Sequence, residues 1–449
     1  MAIPSEYFVL RIENSSVSRI DVLDVAATTS SGDIVAFCSW ELGDVQDMER
    51  AGFALIRIDS MGDVTWQLWR SLCGPGPGDA CGQWALQSGA VTRIAGGFLA
   101  VATVARAGTN VWRMIAVRVA DDGSIVWLKS YTAPAGGCVV TGRAAGVVPL
   151  AAADTYLVAA RSAETFDSWF FQLAGDGTAG NGFIIQNRVV RRLRRLPTQG
   201  VCAVGETADR IARGWALDLD PATLTPKWER VYDLALSMDN GVRWHDIAEG
   251  KESLMIVGNQ VGSSGEIIGL FAGLGTDSTP TPAGQVARYV QQAQLTNQQR
   301  SRLYGVSAHR DSDFPFSSFF SFCGDVSDTP WQIAINEQSG SVLWQKAYRL
   351  NAGATGTLRS TVWPAELGVI AGGHVVEGKE TFGALASSVF FPVVSNCAFE
   401  THAEFPSVTM PSPLQPSPMS PLVIRTDSWF HEAARTPLIA RGCLDRKLI

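Results

Sequence analysis

The fold of this chain is decided by the stretch Trp331-Gln332-Ile333-Ala334-Ile335-Asn336-Glu337-Gln338-Ser339-Gly340-Ser341-Val342-Leu343-Trp344. It reads as a strand, a turn with a Gly, and a second strand that ends on Trp. Similar phrases end at Trp66, Trp127 and Trp228, and the first two of these are 61 residues apart. A strand-rich repeat of this length is typical of a β-propeller, in which each repeat forms one four-stranded blade. The recurring Trp side chains are interpreted as core residues between blades.

Seven such repeats follow one another along the chain. They cover about residues 22–69, 88–131, 140–186, 188–233, 241–291 and 300–350, and a seventh begins near residue 358. The seventh lacks a final Trp strand, whereas Tyr7–Glu13 followed by Val17–Ile20 resembles the second half of a blade. We therefore expect residues 5–20 to complete the last blade, since closing the ring removes free sheet edges. The sequence predicts an all-β, seven-bladed propeller of four-stranded antiparallel blades over residues 1–395, with six or eight blades as alternatives.

Residues 396–449 do not continue the repeat. Their many prolines disfavour regular strands, which predicts an extended Pro-rich arm. A short helix is expected within residues 423–435. The arm either folds back on the surface of its own chain or docks on a neighbouring subunit, and we favour docking because apolar side chains suit partner contacts. The predicted anchors are Trp429, Phe430, Leu438, Ile439 and Leu444.

Composition limits the class of protein. The chain has 449 residues, 46% of them hydrophobic and 18% charged, which favours a large core over disorder. A net charge of −7 argues against a nucleic-acid partner. The N-terminus lacks the basic and apolar segments of a secretory leader, and no apolar run reaches the roughly 20 residues of a membrane helix. We expect a protein without a membrane partner, located in the cytoplasm or built into a particle such as a virion.

Eight cysteines are present, and none forms a CxxC pair. Cys38 and Cys202 stand within apolar strand phrases, which indicates small buried side chains. Cys73 and Cys81 flank a Gly-Pro loop and could close a small ring, but free thiols are expected without a secretory leader. The sequence leaves the redox state of Cys397 and Cys443 open.

Arginines recur near the first strand of several repeats. In a propeller this strand lines the central channel, so a partial ring of arginines at one channel mouth is predicted, able to bind an anion or an acidic peptide. The predicted ring comprises Arg93, Arg143, Arg192, Arg243, Arg302 and Arg359. A separate basic run within residues 188–195 would alternate between two faces, and the favoured interpretation is a solvated strand rather than an anion-binding patch.

No catalytic motif stands out. The sequence lacks Gly-x-Ser-x-Gly, a P-loop and HExxH, and its five histidines are not spaced as metal ligands. Trp244-His245-Asp246 could seat a general base in the channel, but a His–Asp hydrogen bond within a strand explains it equally simply. We predict no catalytic residue, no metal and no cofactor.

The blade phrase resembles bacterial propeller repeats of the pyrroloquinoline-quinone-like and delta-60 families. The resemblance rests on Gly96-Gly97-Phe98, on Arg57-Ile58-Asp59 with Gly62 and Trp66, and on Gly340 with Trp344, and it covers about residues 5–395. It implies a propeller fold. In quinoprotein dehydrogenases the channel holds a quinone with Arg or Lys, acidic groups and Ca²⁺, and many carry adjacent cysteines, which this chain lacks.

These observations favour a non-catalytic interaction or structural module. The predicted partners are other protein subunits of an assembly, such as a phage virion or a contractile injection particle, reached through the C-terminal arm. One alternative is a channel-based enzyme, either a quinoprotein oxidoreductase or a carbohydrate-active enzyme. Another alternative is a module that recognises a surface glycan on a receptor.

Overall fold

A computed structural model places most of the chain in β-strands, and the described residues contain no helix. The described residues are 9–13, 17–28, 32–41, 51–59, 62–72, 84–106, 112–132, 142–162, 166–198, 200–233, 241–261, 267–275, 287–293, 300–310, 318–337, 342–348, 353–364, 368–388, 400–402, 407–409, 417–418, 423–425, 430–432 and 439–442. Cys73, Cys81, Cys397 and Cys443 lie outside these ranges.

The strands form antiparallel groups of four, which we number as blades. Blade 1 holds β2 (Arg19–Ala27), β3 (Ile34–Glu41), β4 (Ala51–Ile58) and β5 (Val64–Leu72). Blade 2 holds β6 (Trp84–Ile94), β7 (Gly97–Arg106), β8 (Trp112–Ala120) and β9 (Ile125–Thr132). Blade 3 holds β10 (Gly142–Pro149), β11 (Thr155–Ser162), β12 (Ser168–Ala174) and β13 (Ala179–Ile185). Blade 4 holds β14 (Arg188–Arg195), β15 (Val201–Thr207), β16 (Gly214–Leu219) and β17 (Pro226–Asp233).

Three more groups complete the ring. Blade 5 holds β18 (Gly241–Glu249), β19 (Ser253–Val261), β20 (Ile267–Gly275) and β21 (Ala287–Ala293). Blade 6 holds β22 (Ser301–His309), β23 (Phe319–Val326), β24 (Thr329–Asn336) and β25 (Val342–Ala347). Blade 7 holds β26 (Thr355–Val362), β27 (Val369–Glu377), β28 (Glu380–Ser388) and the N-terminal β1 (Val9–Glu13). The first strands of neighbouring blades contact one another around the axis.

The N-terminus closes the ring with one strand. Residues of β1 pair antiparallel with β28, for example Leu10 with Leu385. The sequence also assigned Val17–Ile20 to blade 7, and this assignment is wrong for Arg19 and Ile20, which begin β2 of blade 1. Because β26, β27 and β28 already supply three strands, a single N-terminal strand completes blade 7. One parallel bridge, Arg19 to Thr381, joins blades 1 and 7 into a continuous sheet.

The tail contributes six short strands to the outer edges of the blades. They are β29 (Glu400–His402), β30 (Ser407–Thr409), β31 (Ser417–Pro418), β32 (Val423–Arg425), β33 (Phe430–Glu432) and β34 (Ile439–Gly442). They pair antiparallel with β21, β17, β13, β9, β5 and β1, respectively. The short helix expected at 423–435 is therefore wrong, since β32 and β33 occupy part of that range.

This pairing within one chain is the arrangement of an arm folded back on its own surface. Of the predicted partner anchors, Phe430 and Ile439 lie in β33 and β34. Trp429, Leu438 and Leu444 lie outside the described residues. Docking of the arm on a neighbouring subunit stays a prediction.

The hydrophobic core lies between neighbouring blades. Phe37 and Phe53 of blade 1 pack in one cluster with Trp84 and Phe98 of blade 2, and all four are nearly inaccessible to solvent. Burying such side chains stabilises the ring by about 25 cal/mol per Å² of apolar surface. Cys38, Cys202 and Cys323 are buried free thiols, which confirms the interpretation of Cys38 and Cys202 as core residues.

The Trp of the repeat also joins consecutive blades by hydrogen bonds. The Nε1 of Trp66 and the Nη1 of Arg57 both donate to the carbonyl of Asp121 in blade 2, at 3.0 and 2.9 Å. One blade further on, Trp127 and Arg118 both donate to the carbonyl of Gly175, at 2.6 and 2.7 Å. Trp66 and Trp127 are thus partly buried and hydrogen-bonded to the next blade. Trp344 is buried in the core, as the sequence predicts.

Candidate functional site

Every first strand carries a register shift at the same place. In each blade one extra residue interrupts the pairing of the first strand with the second. Such β-bulges bend a strand and redirect its side chains. The extra residues are Leu23, Gln87, Ala145, Arg191, His245, Tyr304 and Arg359.

Next to these bulges, four charged side chains meet across the axis. Arg192 donates to Asp24 Oδ1 at 2.5 Å, and its Nε lies 3.5 Å from Asp246 Oδ1. Arg194 makes a bidentate pair with Asp246 at 2.9 and 2.8 Å. Ser360 Oγ donates to Asp24 Oδ1 at 2.5 Å. We call Asp24, Arg192, Arg194 and Asp246 the axial ion cluster; it links blades 1, 4 and 5.

Each charged side chain of the axial ion cluster has an oppositely charged partner within the cluster. Backbone N–H groups also donate hydrogen bonds to both carboxylates. The N–H of Val91 donates to Asp24 at 2.9 Å, and the N–H of Val306 donates to Asp246 at 3.1 Å. Burial raises the pKa of Asp246, but Arg194 and Arg192 outweigh it and hold the pKa below its ordinary value. The Asp246 carboxylate is therefore ionised and bound to the guanidinium groups of Arg194 and Arg192.

This arrangement does not suit the quinone and Ca²⁺ that the family resemblance implies. Such a cofactor needs acidic groups free to hold the ion, yet both axial carboxylates already bind arginine and backbone N–H groups. Asp246 likewise binds Arg194 and does not act as the partner of a general base at His245. Among the described residues, no group of three His, Cys, Asp or Glu side chains could hold a metal ion.

The recurring arginines lie on the axial strands but do not form a single ring. Arg143, Arg243 and Arg302 occupy equivalent positions two residues before the extra residue of the bulge. Arg192 follows the extra residue, Arg359 is itself the extra residue, and Arg93 lies near the other end of its strand. Because a one-residue shift redirects a strand side chain, Arg192 and Arg359 face surroundings different from those of Arg243 and Arg302.

Most of these arginines have carboxylate partners. Arg302 lies 3.3 Å from Asp325, Arg359 pairs with Asp21 at 2.7 Å, and Arg93 pairs with Asp121. The basic run of β14 is also largely paired: Arg188 with Glu229 at 2.9 Å and Arg191 with Glu206 at 2.8 Å. The interpretation of this run as a solvated strand is wrong except at Arg195, which is exposed, because β14 lies at the axis.

A cavity of about 330 Å³ opens beside the axial mouth of blades 4 and 5. We call it the mouth pocket. Its lining combines the start of β14 and β18 with loops between second and third strands of blades 3 and 4. The lining includes Phe166, Glu206, Asp209, Ile211 and Arg243.

Two apolar side chains form an exposed lip of the mouth pocket. Phe166 is 56% exposed and Ile211 is 42% exposed, and both belong to loops. Phe166 also has a φ of +55°, a left-handed conformation that costs a bulky residue free energy. Strained, exposed aromatic residues are concentrated at binding sites.

Glu206 and Arg243 form an ion pair in the lining of the mouth pocket, and Arg191 binds Glu206 from behind the lining. Glu206 is buried between Arg191, at 2.8 Å, and Arg243, whose Nε lies 3.1 Å away and whose side chain is 48% exposed. One carboxylate therefore faces two guanidinium groups. Nearby, burial and then the charges of Arg191, Arg161 and Arg243 hold the pKa of His245 well below its ordinary value. His245 is thus neutral and packs edge-on against Tyr304, with ring centroids 5.2 Å apart.

The neutral His245 makes stability depend on pH. Below pH about 6.5 the unfolded chain takes up a proton at this residue while the folded chain does not, so stability falls as the pH falls. We expect wild type to lose up to about 1.4 kcal/mol per pH unit relative to His245→Gln between pH 6.5 and 5.5. Denaturant unfolding of both proteins at pH 7.5, 6.5 and 5.5 measures this, and parallel pH profiles would contradict it.

Sequence reasoning found Arg243 but missed the rest of the mouth pocket. Phe166 and Ile211 stand in loop phrases without a recurring pattern. Glu206 is the next-to-last residue of an apolar strand, Val201–Thr207, and an acidic residue near the end of a strand gives no specific signal. A detectable sign was a large apolar residue within each of two otherwise polar loops.

Among known proteins, the chain is similar to solved structures at low sequence identity. No protein-family model and no curated protein matches the chain. BamB from Moraxella catarrhalis is 15% identical, with 84% of this chain and 100% of that chain covered and a TM-score of 0.37. A europium-containing methanol dehydrogenase is 11% identical, with coverages of 81% and 84% and a TM-score of 0.40. Raptor from Chaetomium thermophilum is 10% identical, with a TM-score of 0.46; 87% of this chain but 29% of Raptor is covered.

In the part of the chain that the structure describes, no helix is long and apolar enough to cross a membrane.

Proposed function

We propose that the chain is a non-catalytic propeller module that binds an acidic segment of a partner protein at the mouth pocket. The observation that carries the proposal is the meeting of two arginines, Arg191 and Arg243, around the single Glu206, beneath the exposed Phe166 and Ile211. The preferred ligand has a carboxylate for Arg243 and an apolar side chain for the lip.

The two parts of the mouth pocket contribute differently. A partly exposed ion pair at Arg243 contributes roughly 0–1 kcal/mol to affinity and improves association rate and selectivity. Reversing the charge at this position costs more, because a carboxylate there repels the carboxylate of the ligand. Covering a large apolar side chain such as Phe166 contributes about 1.5–3 kcal/mol. We therefore expect the lip to supply most of the affinity and the arginines to select acidic over basic segments.

A multi-protein assembly is the proposed setting for such a module. The axial ion cluster joins blades 1, 4 and 5 at the centre of the ring, which gives the mouth pocket a fixed support. The choice of a phage virion or a contractile injection apparatus as the particle comes from the sequence interpretation. The C-terminal arm remains a second proposed contact with neighbouring subunits.

A labelled peptide of alternating Glu and Phe tests the proposal by fluorescence anisotropy. We expect saturable binding to wild type, at least about tenfold weaker binding to Arg243→Glu and to Phe166→Ala, and weakening with added salt. A peptide of alternating Lys and Phe should not compete.

Two variants control for charge and for lost apolar surface. Arg195→Glu makes the same charge change at the other end of β14. Val126→Ala removes an apolar side chain that is also 56% exposed but lies in blade 2. Both should bind the acidic peptide like wild type. Equal losses in all four variants, or selective binding of a neutral oligosaccharide, would overturn the proposal.

A further inference from the structure

The loop between the second and third strands of blade 4 is held at both ends. We call residues 208–213, which join β15 to β16, the blade 4 loop. At its start, the N–H of Ala208 donates to the carbonyl of Asn187, just before β14, at 3.1 Å. Near its end, the carbonyl of Ala212 accepts a hydrogen bond from the N–H of Val242 in blade 5 at 2.7 Å. The tip of the loop, between these two attachments, therefore has a defined position beside the mouth pocket.

Arg210 lies at the tip of the blade 4 loop, lines the mouth pocket and is exposed. Among the described residues, no acidic side chain pairs with it. Its neighbour Asp209 is engaged elsewhere, because Arg213 of the same loop donates to Asp209 Oδ2 from Nη2 at 2.5 Å and from Nε at 3.1 Å. These hydrogen bonds are the main reason why the pKa of Asp209 lies below its ordinary value. Arg210 therefore presents an unpaired positive charge to a ligand in the pocket.

A second positive group in the lining lies on a different element. Arg243 belongs to β18 of blade 5, and its side chain is 48% exposed. It shares the carboxylate of Glu206 with Arg191, so Glu206 balances only one of these two positive charges. Ile211, the residue after Arg210, adds apolar surface at the lip. The lining therefore offers two places for an acidic group, at Arg243 and at Arg210, together with an apolar contact.

We propose that Arg210 recognises a second acidic group, so that the mouth pocket selects segments with two acidic side chains next to one apolar side chain. One carboxylate of the segment lies at Arg243 and the other at Arg210, while the apolar side chain covers Ile211. This inference rests on the proposed function, since it concerns the same pocket and the same class of partner. Charge complementarity at a partly exposed guanidinium adds selectivity more than affinity. A segment with only one acidic residue is therefore bound, but less tightly.

Three labelled peptides test the role of Arg210 by fluorescence anisotropy. Their cores are Glu-Phe-Glu, Glu-Phe-Gln and Gln-Phe-Glu, with the same Gly-Ser flanks. We expect wild type to bind the diacidic core about two- to fivefold more tightly than either monoacidic core, as a partly exposed ion pair allows. Arg210→Gln should bind all three peptides equally, with an affinity close to that of wild type for the monoacidic peptides. Arg210→Glu should prefer the monoacidic peptides, because its carboxylate repels a second acidic group.

Arg195→Gln is the matched control, because it removes the charge of an exposed arginine at the far end of β14. It should keep the preference of wild type for the diacidic peptide. If the peptides bind and Arg243→Glu weakens binding, the proposed function stands. This inference is nevertheless overturned if wild type shows no preference, if the preference persists in Arg210→Gln, or if Arg195→Gln loses it equally. Absence of any peptide binding to wild type would overturn both.

Discussion

Replacing Asp246 by Asn is expected to lower the free energy of unfolding by about 3–5 kcal/mol. The carboxylate is 1% exposed and binds two guanidinium groups, those of Arg194 and Arg192. Removing its charge leaves both arginines in the axial ion cluster with one fewer anion. A partnerless buried charge costs far more than an exposed pair contributes, and the NH2 of Asn cannot accept the hydrogen bonds that one carboxylate oxygen of Asp246 accepts.

Denaturant unfolding at pH 7.5 measures the effect against two controls. Asp209→Asn removes the same charge from an exposed pair with Arg213, so a loss of roughly 0–1 kcal/mol is expected. Asp246→Asn combined with Arg194→Met should recover part of the stability, because one of the unmatched cations is gone. A loss no larger than that of Asp209→Asn would show that the axial ion cluster does not hold the blades together.

Replacing Gly123 by Ala is expected to cost about 2–3 kcal/mol. Gly123 has a φ of +87°, and a Cβ there would lie 2.9 Å from the Trp66 ring of the preceding blade. The left-handed backbone alone costs about 1–2 kcal/mol. The remainder comes from displacing Trp66, which breaks its hydrogen bond to Asp121.

Gly96→Ala separates these two contributions. Gly96 has a φ of +73° with no atom within 4 Å of a Cβ, so only the conformational cost should appear. In a Trp66→Ala background, Gly123→Ala should cost no more than Gly96→Ala, because the clash is absent. An equal cost of Gly123→Ala with and without Trp66 would contradict a stabilising contact between Trp66 and the next blade.

The blade repeat could be predicted because its causes are local in sequence. Gly62, Gly123 and Gly177 all adopt positive φ in the same turn, and each donates its N–H to the carbonyl three residues earlier. A Trp follows each of the first two turns and reaches the equivalent turn of the next blade. A local turn and one contact between repeats therefore produce a pattern that is visible in the sequence.

The axial ion cluster could not be predicted because its partners are remote. Asp24 and Arg192 are 168 residues apart and belong to blades 1 and 4. Their meeting depends on the bulge that shifts each first strand by one residue, and strict alternation of side chains does not reveal such a shift. The same shift explains why the recurring arginines lie at different positions relative to the bulge of their strand.

The six short tail strands, β29 to β34, could not be predicted for a different reason. They are two to four residues long and lie among prolines, which normally indicate irregular chain. They are strands because the outer edges of six blades offer them backbone partners.

A photo-crosslinking experiment tests the binding site most directly. A photoreactive phenylalanine analogue is placed at Phe166 in one protein and at Val126 in another, since both positions are 56% exposed and lie in different blades. Each protein is irradiated with the acidic Glu-Phe peptide and examined by mass spectrometry. We expect a covalent adduct at position 166 that disappears in Arg243→Glu, and none at position 126. Equal labelling at both positions, or labelling at 166 that survives Arg243→Glu, would contradict it.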